Sequence, residues 1–120
     1  MANILLVEDH DVTSFAIVKL FTRNGHEVDV AIDGRQAINK MATNNYDVVV
    51  TDLAMPLVTG QQLIDNIRNV QQNKVKILVV SSLNTEQDIQ ETFVLGADDF
   101  LPKPFQANDL LLRIQKLLRN

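Results

Sequence analysis

Val48-Val49-Val50-Thr51-Asp52 decides the fold: four consecutive β-branched residues, with no polar alternation, closed by a carboxylate. A run of this kind reads as a strand buried on both faces, as in a parallel sheet covered by helices. Three further runs share the form. Ile4-Leu5-Leu6-Val7 meets Glu8-Asp9, Ile77-Leu78-Val79-Val80 meets Ser81, and Phe100-Leu101-Pro102 meets Lys103. Ligands bind at the carboxyl edge of open parallel sheets, so three carboxylates, a hydroxyl and an amine are expected to gather at one edge.

Between these runs lie helical patterns. Val12 to Asn24 carries Ile17, Val18, Leu20 and Phe21 on one side, and Asn24-Gly25 is a stop signal. A second strand is expected over Val28 to Ile32. Asp33-Gly34 then opens a helix with Ala37, Ile38 and Met41 at helical spacing, broken by Asn44-Asn45. The third strand runs from Asp47 to Thr51. Leu63, Ile64 and Ile67 repeat the helical spacing after Thr59-Gly60, and Gln71-Gln72-Asn73-Lys74 leads into strand four. Asn84 and Gln87 form a candidate N-cap and capping box for a helix ending near Gly96. A short fifth strand and a helix from Ala107 to Arg119 complete the chain.

Strict alternation of five strands and five helices predicts an α/β three-layer sandwich with right-handed crossovers. The five-strand doubly wound order 2-1-3-4-5 fits the count and puts the switch point between strands one and three, at Glu8-Asp9 and Asp52. No repeat, linker or low-complexity tract divides the chain, so residues 1–120 are expected to form one domain.

Composition narrows the function classes. At 120 residues and 46% hydrophobic the chain can bury a sizeable core. A net charge of −4 argues against direct nucleic-acid binding, which needs a basic face. There is no cysteine, hence no disulfide, thiolate metal site or cysteine nucleophile. The amino terminus lacks the pattern of a signal peptide, and no apolar stretch approaches the roughly 20 residues that cross a membrane. A cytoplasmic location without membrane attachment is expected.

The acidic pair after strand one, the Asp after strand three with Met55-Pro56-Leu57-Val58-Thr59-Gly60 behind it, the Ser after strand four, and Gly96-Ala97-Asp98-Asp99-Phe100-Leu101-Pro102-Lys103-Pro104-Phe105 together resemble the receiver domain of two-component response regulators. The resemblance covers the whole chain. It implies that Asp52 is the phosphoacceptor, taking a phosphoryl group from a phosphohistidine by nucleophilic attack. Its partner would be a sensor histidine kinase or a histidine phosphotransfer protein. The resemblance also implies a Mg²⁺ (or Mn²⁺) ion held by Asp9, Asp52 and the Ala54 backbone carbonyl, with Glu8 acting through a metal-bound water. Lys103 would meet a phosphoryl oxygen, and Lys103-Pro104 resembles the family's cis peptide. Ser81, favoured over Ser82 by its interval to Lys103, would donate its hydroxyl to the phosphoryl group and act with Phe100 as the switch.

Other positions bear on partners and rate. Leu110, Leu111 and Leu112 span about 200° of a helix, more than a core stripe needs. With Ile89 and Phe93 they suggest a phosphorylation-dependent surface on helix four, strand five and helix five, against the plainer reading of a wide core face. The C-terminal part resembles receivers of winged-helix transcriptional regulators that form homodimers there, with Asp99 and Arg113 retaining an intersubunit ion pair. Ile89 departs from that group, standing where a basic residue would meet Asp109. Ala54 and Leu83 offer no polar side chain to orient a water, which suggests slow autodephosphorylation. His10 and His26 read as surface residues. Two alternatives stay open: a non-phosphorylated interaction module on the same fold, and an aspartate-nucleophile phosphatase, whose D-x-D motif at strand one is absent from Glu8-Asp9-His10.

Overall fold

A computed structural model describes residues 1–119. The apolar runs become strands: β1 (Asn3–Val7), β2 (Glu27–Ala31), β3 (Val48–Thr51), β4 (Lys76–Ser81) and β5 (Asp99–Pro102). All pair in parallel, in the order β2-β1-β3-β4-β5. Between them lie α1 (Asp11–Arg23), α2 (Gly34–Thr43), α3 (Gly60–Asp65) and α4 (Glu86–Leu95), and α5 (Ala107–Arg119) follows β5. Among the described residues this is the doubly wound α/β sandwich expected from the alternation.

Successive strand residues point to opposite faces, and β1 shows the result. Ile4 and Leu6 enter the layer that holds Ile17 and Phe21 of α1 and Leu110, Ile114 and Leu117 of α5. Leu5 and Val7 enter the opposite layer, with Ala37 and Met41 of α2 and Leu63 and Ile64 of α3. β1 and β3 are buried on both sides, which is why their sequences do not alternate. Each fully buried Leu or Ile contributes roughly 1.5–3 kcal/mol. The central strands therefore fix the strand ends where the polar residues sit.

Three local readings need correction. Ile32 lies outside β2, because its N–H donates to the Gln36 Oε1 at 3.1 Å and not to the sheet. The cap of α4 is Thr85 and not Asn84. Thr85 Oγ1 accepts from the Asp88 N–H and Asp88 Oδ2 accepts from the Thr85 N–H, both at 3.1 Å, so the box is Thr85/Asp88 and Gln87 takes no part. The helix expected through Leu63, Ile64 and Ile67 is α-helical only to Asp65 and continues as a π-helical turn, Asn66–Val70, with the Gln71 N–H bonded to the Asn66 carbonyl at 2.9 Å. Arg68 ties that turn to its surroundings, donating to the Gly96 and Asn73 carbonyls and to the Asp98 carboxylate at 2.8–3.0 Å.

Candidate functional site

Sheet register alone assembles the site. Val7 pairs with Thr51, so Glu8 and Asp52, the next residues, face one another as the strands end. Ser81 pairs with Pro102, which places Lys103 one residue past that rung, its N–H bonded to the Ser81 carbonyl at 3.0 Å. Glu8, Asp52 and Ser81 are buried. The chain can leave β3 so closely only because residue 60 is glycine: a Cβ there would collide with the Asp52 carbonyl oxygen and Leu53 Cα. The Gly60 N–H instead donates to the Leu53 carbonyl at 2.9 Å, and Thr59 caps α3 with Gln62 in a reciprocal capping box.

Lys103 is the hub. Its Nζ donates to Glu8 Oε1 at 2.8 Å and to Asp52 Oδ2 at 2.9 Å. The other Asp52 oxygen accepts from the backbone N–H groups of Leu53 at 2.6 Å and Ala54 at 3.3 Å. Burial by itself lowers the Lys103 pKa, but the hydrogen bonds to Glu8 and Asp52 and the charges of both outweigh it, and the ammonium is held above its ordinary value. The Lys103–Pro104 peptide is cis, as the resemblance implies.

One ammonium stands among three carboxylates. Asp9 Oδ1 is buried and has no hydrogen-bond partner, an arrangement that costs free energy unless something else occupies the oxygen. A divalent cation with oxygen ligands answers that need. No group of three or more His, Cys, Asp or Glu side chains forms a ready metal cage among the described residues. Of the three carboxylates, Glu8 and Asp52 both accept from Lys103, and it is Asp9 whose Oδ1 is left without a donor.

The remaining expected residues divide by place. Ser81 Oγ accepts from the Leu83 N–H at 3.0 Å and makes no hydrogen bond to Asp52. Phe100 is already buried, 5% exposed, in the layer against which Ile89 packs. Phe93 is exposed on α4. Arg113 is bound within the chain, its Nη1 donating to Asp99 Oδ1 at 2.9 Å and to the Phe100 carbonyl at 2.8 Å, with Asp109 at 3.6 Å. Leu111 does not join this group. It lines a separate cleft of about 310 Å³ with Met1, His26 and Leu118, because it lies about 160° around the helix from Arg113 at 100° per residue. Leu112, at 61% exposure, is the solvent-facing leucine of the three.

His10 is exposed, its N–H donating to Glu8 Oε2 at 3.3 Å. His26 is more than a surface residue: its Nδ1 accepts from the Ala2 N–H at 3.1 Å and its ring meets Phe21 edge-on. Burial first, and the charge of the amino terminus second, hold its pKa below the ordinary histidine value.

An open parallel sheet thus gathers a recessed Asp, an acidic pair, a hydroxyl and a lysine at its carboxyl edge. The chain belongs to the response regulator receiver domain family, which it matches over residues 4–115. It is similar to the response regulator ArlR of Staphylococcus haemolyticus, 30% identical over 119 residues, covering 99% of this chain and 53% of the relative. The chain spans about half the length of the curated relatives it matches. Among solved structures it resembles the receiver domain of the Francisella response regulator 1452, with 32% identity, a TM-score of 0.94 and coverage of 99% and 98% of the two chains. It also resembles the receiver domain of the sensor histidine kinase PA1611 from Pseudomonas aeruginosa, with magnesium ion coordinated in the active site cleft, at 28% identity, a TM-score of 0.91 and coverage of 99% and 98%. The chain is a receiver domain of the two-component kind. Among the described residues no helix is long and apolar enough to cross a membrane.

Proposed function

We propose that this chain is a phosphorylation-switched signalling receiver in which Asp52 accepts a phosphoryl group from the phosphohistidine of a sensor kinase or phosphotransfer protein. One observation carries the reading: recessed Asp52 shares a single ammonium with Glu8, beside an Asp9 whose buried oxygen has no partner. In the transfer, the P–N bond of a phosphoimidazolium breaks with its electron pair returning to nitrogen. A P–O bond forms to an Asp52 oxygen, and neutral imidazole leaves.

The chain's own groups prepare this step. Lys103 and the Leu53 and Ala54 N–H groups orient the carboxylate, and Lys103 brings positive charge to where phosphoryl oxygens arrive. Ser81 Oγ already accepts one hydrogen bond, and its own proton is the one offered to the phosphoryl group. When bound by Asp9, Asp52 and the Ala54 carbonyl, with Glu8 acting through water, Mg²⁺ or Mn²⁺ supplies the positive charge that lets two anions meet. The magnesium ion in the active site cleft of the similar PA1611 receiver domain supports a cation at this edge.

The output face we assign to α4, β5 and α5, around Ile89, Phe93, Asp99, Phe100 and Arg113. Phe100 is already buried, so the change there is a repacking with Ser81 and not the burial of an exposed ring. Part-exposed ion pairs are worth little, so Arg113 exchanges Asp99 for a partner across a phosphorylation-dependent homodimer at small cost.

Incubation with acetyl phosphate and Mg²⁺ tests the reading. The expected result is a single stable phosphoryl adduct, absent from Asp52→Ala. No adduct would indicate a non-phosphorylated interaction module, and steady phosphate release a phosphatase.

A further inference from the structure

Resting on the reading of Asp52 as the acceptor of a protein-borne phosphoryl group, we propose that Leu57 is a docking and specificity residue for the phosphohistidine protein, held out towards it by a strained turn. Leu57 has φ +70°, a region that residues other than glycine, asparagine and aspartate seldom enter. The Val58 N–H donates to the Pro56 carbonyl across it at 2.8 Å. A hydrogen bond closing three residues about a positive φ is a γ-turn of the rare, strained kind. The Leu57 side chain is 74% exposed. Leucine here carries both a backbone penalty and an uncovered apolar surface, and nothing within the chain offsets either.

The neighbouring anchors impose the turn but not the leucine. On one side Gly60 lies against the Asp52 and Leu53 backbone, and Thr59 begins α3. Val58 packs on Gly34 so closely that a Cβ added there would lie 2.7 Å from the Val58 Cβ. The path from Leu53 to Gly60 is thus pinned, and glycine or asparagine at position 57 would follow it with less strain. Strain kept where the surrounding structure over-determines it points to function, and here the contact must come from outside the chain.

The depth of the site identifies the occupant. Asp52 is 7% exposed, so a histidine donor must lower its ring into a mouth walled by the loops of the carboxyl edge, and its own surface then covers them. Among the described residues, five of the eleven exposed large apolar side chains lie in those loops or the first turns of α1: Val12, Phe15, Ile32, Leu57 and Leu83. Val12 and Phe15 lie on α1, which packs on one face of the sheet, and Leu57 precedes α3, which packs on the other. An apolar rim on both sides of a recessed anion suits an apolar protein surface presenting phosphohistidine. A small phosphoryl donor has no use for it.

Leu57→Asn and Leu57→Met test this in the full chain with two phosphodonors. One is acetyl phosphate. The other is the autophosphorylated histidine kinase domain that transfers fastest to the wild type when the kinases of the source organism are profiled. Leu57→Asn is expected to melt higher by about 2–5 °C, to take phosphate from acetyl phosphate at the wild-type rate, and to lose about tenfold or more in the rate of transfer from the kinase. Leu57→Met is expected to keep most of that rate. Unchanged transfer from the kinase overturns the proposal, as does an equal loss with acetyl phosphate, which would place Leu57 in the chemistry of the site. A wild type that takes no phosphoryl group from either donor overturns the proposed function itself, and this inference with it.

Discussion

Lys103 brings one positive charge to a place with three carboxylates, and its removal should be felt at once. In the metal-free chain Lys103→Ala leaves Glu8 and Asp52 buried without a cation, an expected loss of about 2–3 kcal/mol, read as a lowered urea midpoint that Mg²⁺ partly restores. An unmoved midpoint contradicts the bridge. Because the folded-state pKa of Lys103 is raised, its stabilisation is complete below the unfolded value of about 10.4 and is lost as pH rises through the higher folded value. His26 has the opposite sign. Its folded pKa is lowered, so the stability it confers is present above about pH 6.5 and is lost as pH falls through the folded value. Protonation at Nδ1 would also displace the Ala2 N–H. Thermal melts from pH 7.5 to pH 5 should therefore fall more steeply in the wild type than in His26→Gln; parallel slopes would show that His26 is not responsible.

The elements show which parts of the fold are written locally. Thr85→Ala should cost about 1 kcal/mol and Asn84→Ala no more than about 0.5, because only Thr85 bonds the first turn of α4. Equal costs in chemical denaturation would contradict the cap. Both residues are good caps by type; the sequence suggests Asn84 with Gln87, whereas α4 starts at Glu86 and so takes Thr85 as its cap with Asp88. The strands were legible for the opposite reason: Ile4 to Val7 and Val48 to Thr51 are apolar without alternation, which only double-sided burial explains. Their ends then placed Glu8, Asp9, Asp52, Ser81 and Lys103 at one edge before any contact was known. The π-helical turn was not legible, and the bonds Arg68 makes from it to Gly96 and Asp98 lie 28 and 30 residues away, beyond any local pattern. Nor was it legible which of Leu111 and Arg113, about 160° apart on the helix, meets β5, because that depends on how α5 is rotated against the sheet.

At the scale of the whole molecule, two hydrophobic layers hold the sheet rigid while its carboxyl edge concentrates charge that the protein does not neutralise. Two carboxylates about 4 Å apart repel by roughly 4 kcal/mol at an effective dielectric of 20. A cation at that edge should therefore stabilise the entire fold. Millimolar Mg²⁺ is expected to raise the melting temperature by about 3–6 °C, and Asp9→Ala to abolish the rise; a melting curve indifferent to Mg²⁺ contradicts the assignment of Asp9. In the function proposed above, signalling depends on one covalent event at the centre of that edge. Its most direct measurement is to phosphorylate the chain with acetyl phosphate and Mg²⁺, reduce it with borohydride, which converts an aspartyl phosphate to homoserine, and sequence the peptides by mass spectrometry. Homoserine at position 52 alone is the expected result. Homoserine at Asp9, phosphate retained on Ser81, or an unmodified Asp52 in a labelled chain would contradict Asp52 as the phosphoacceptor.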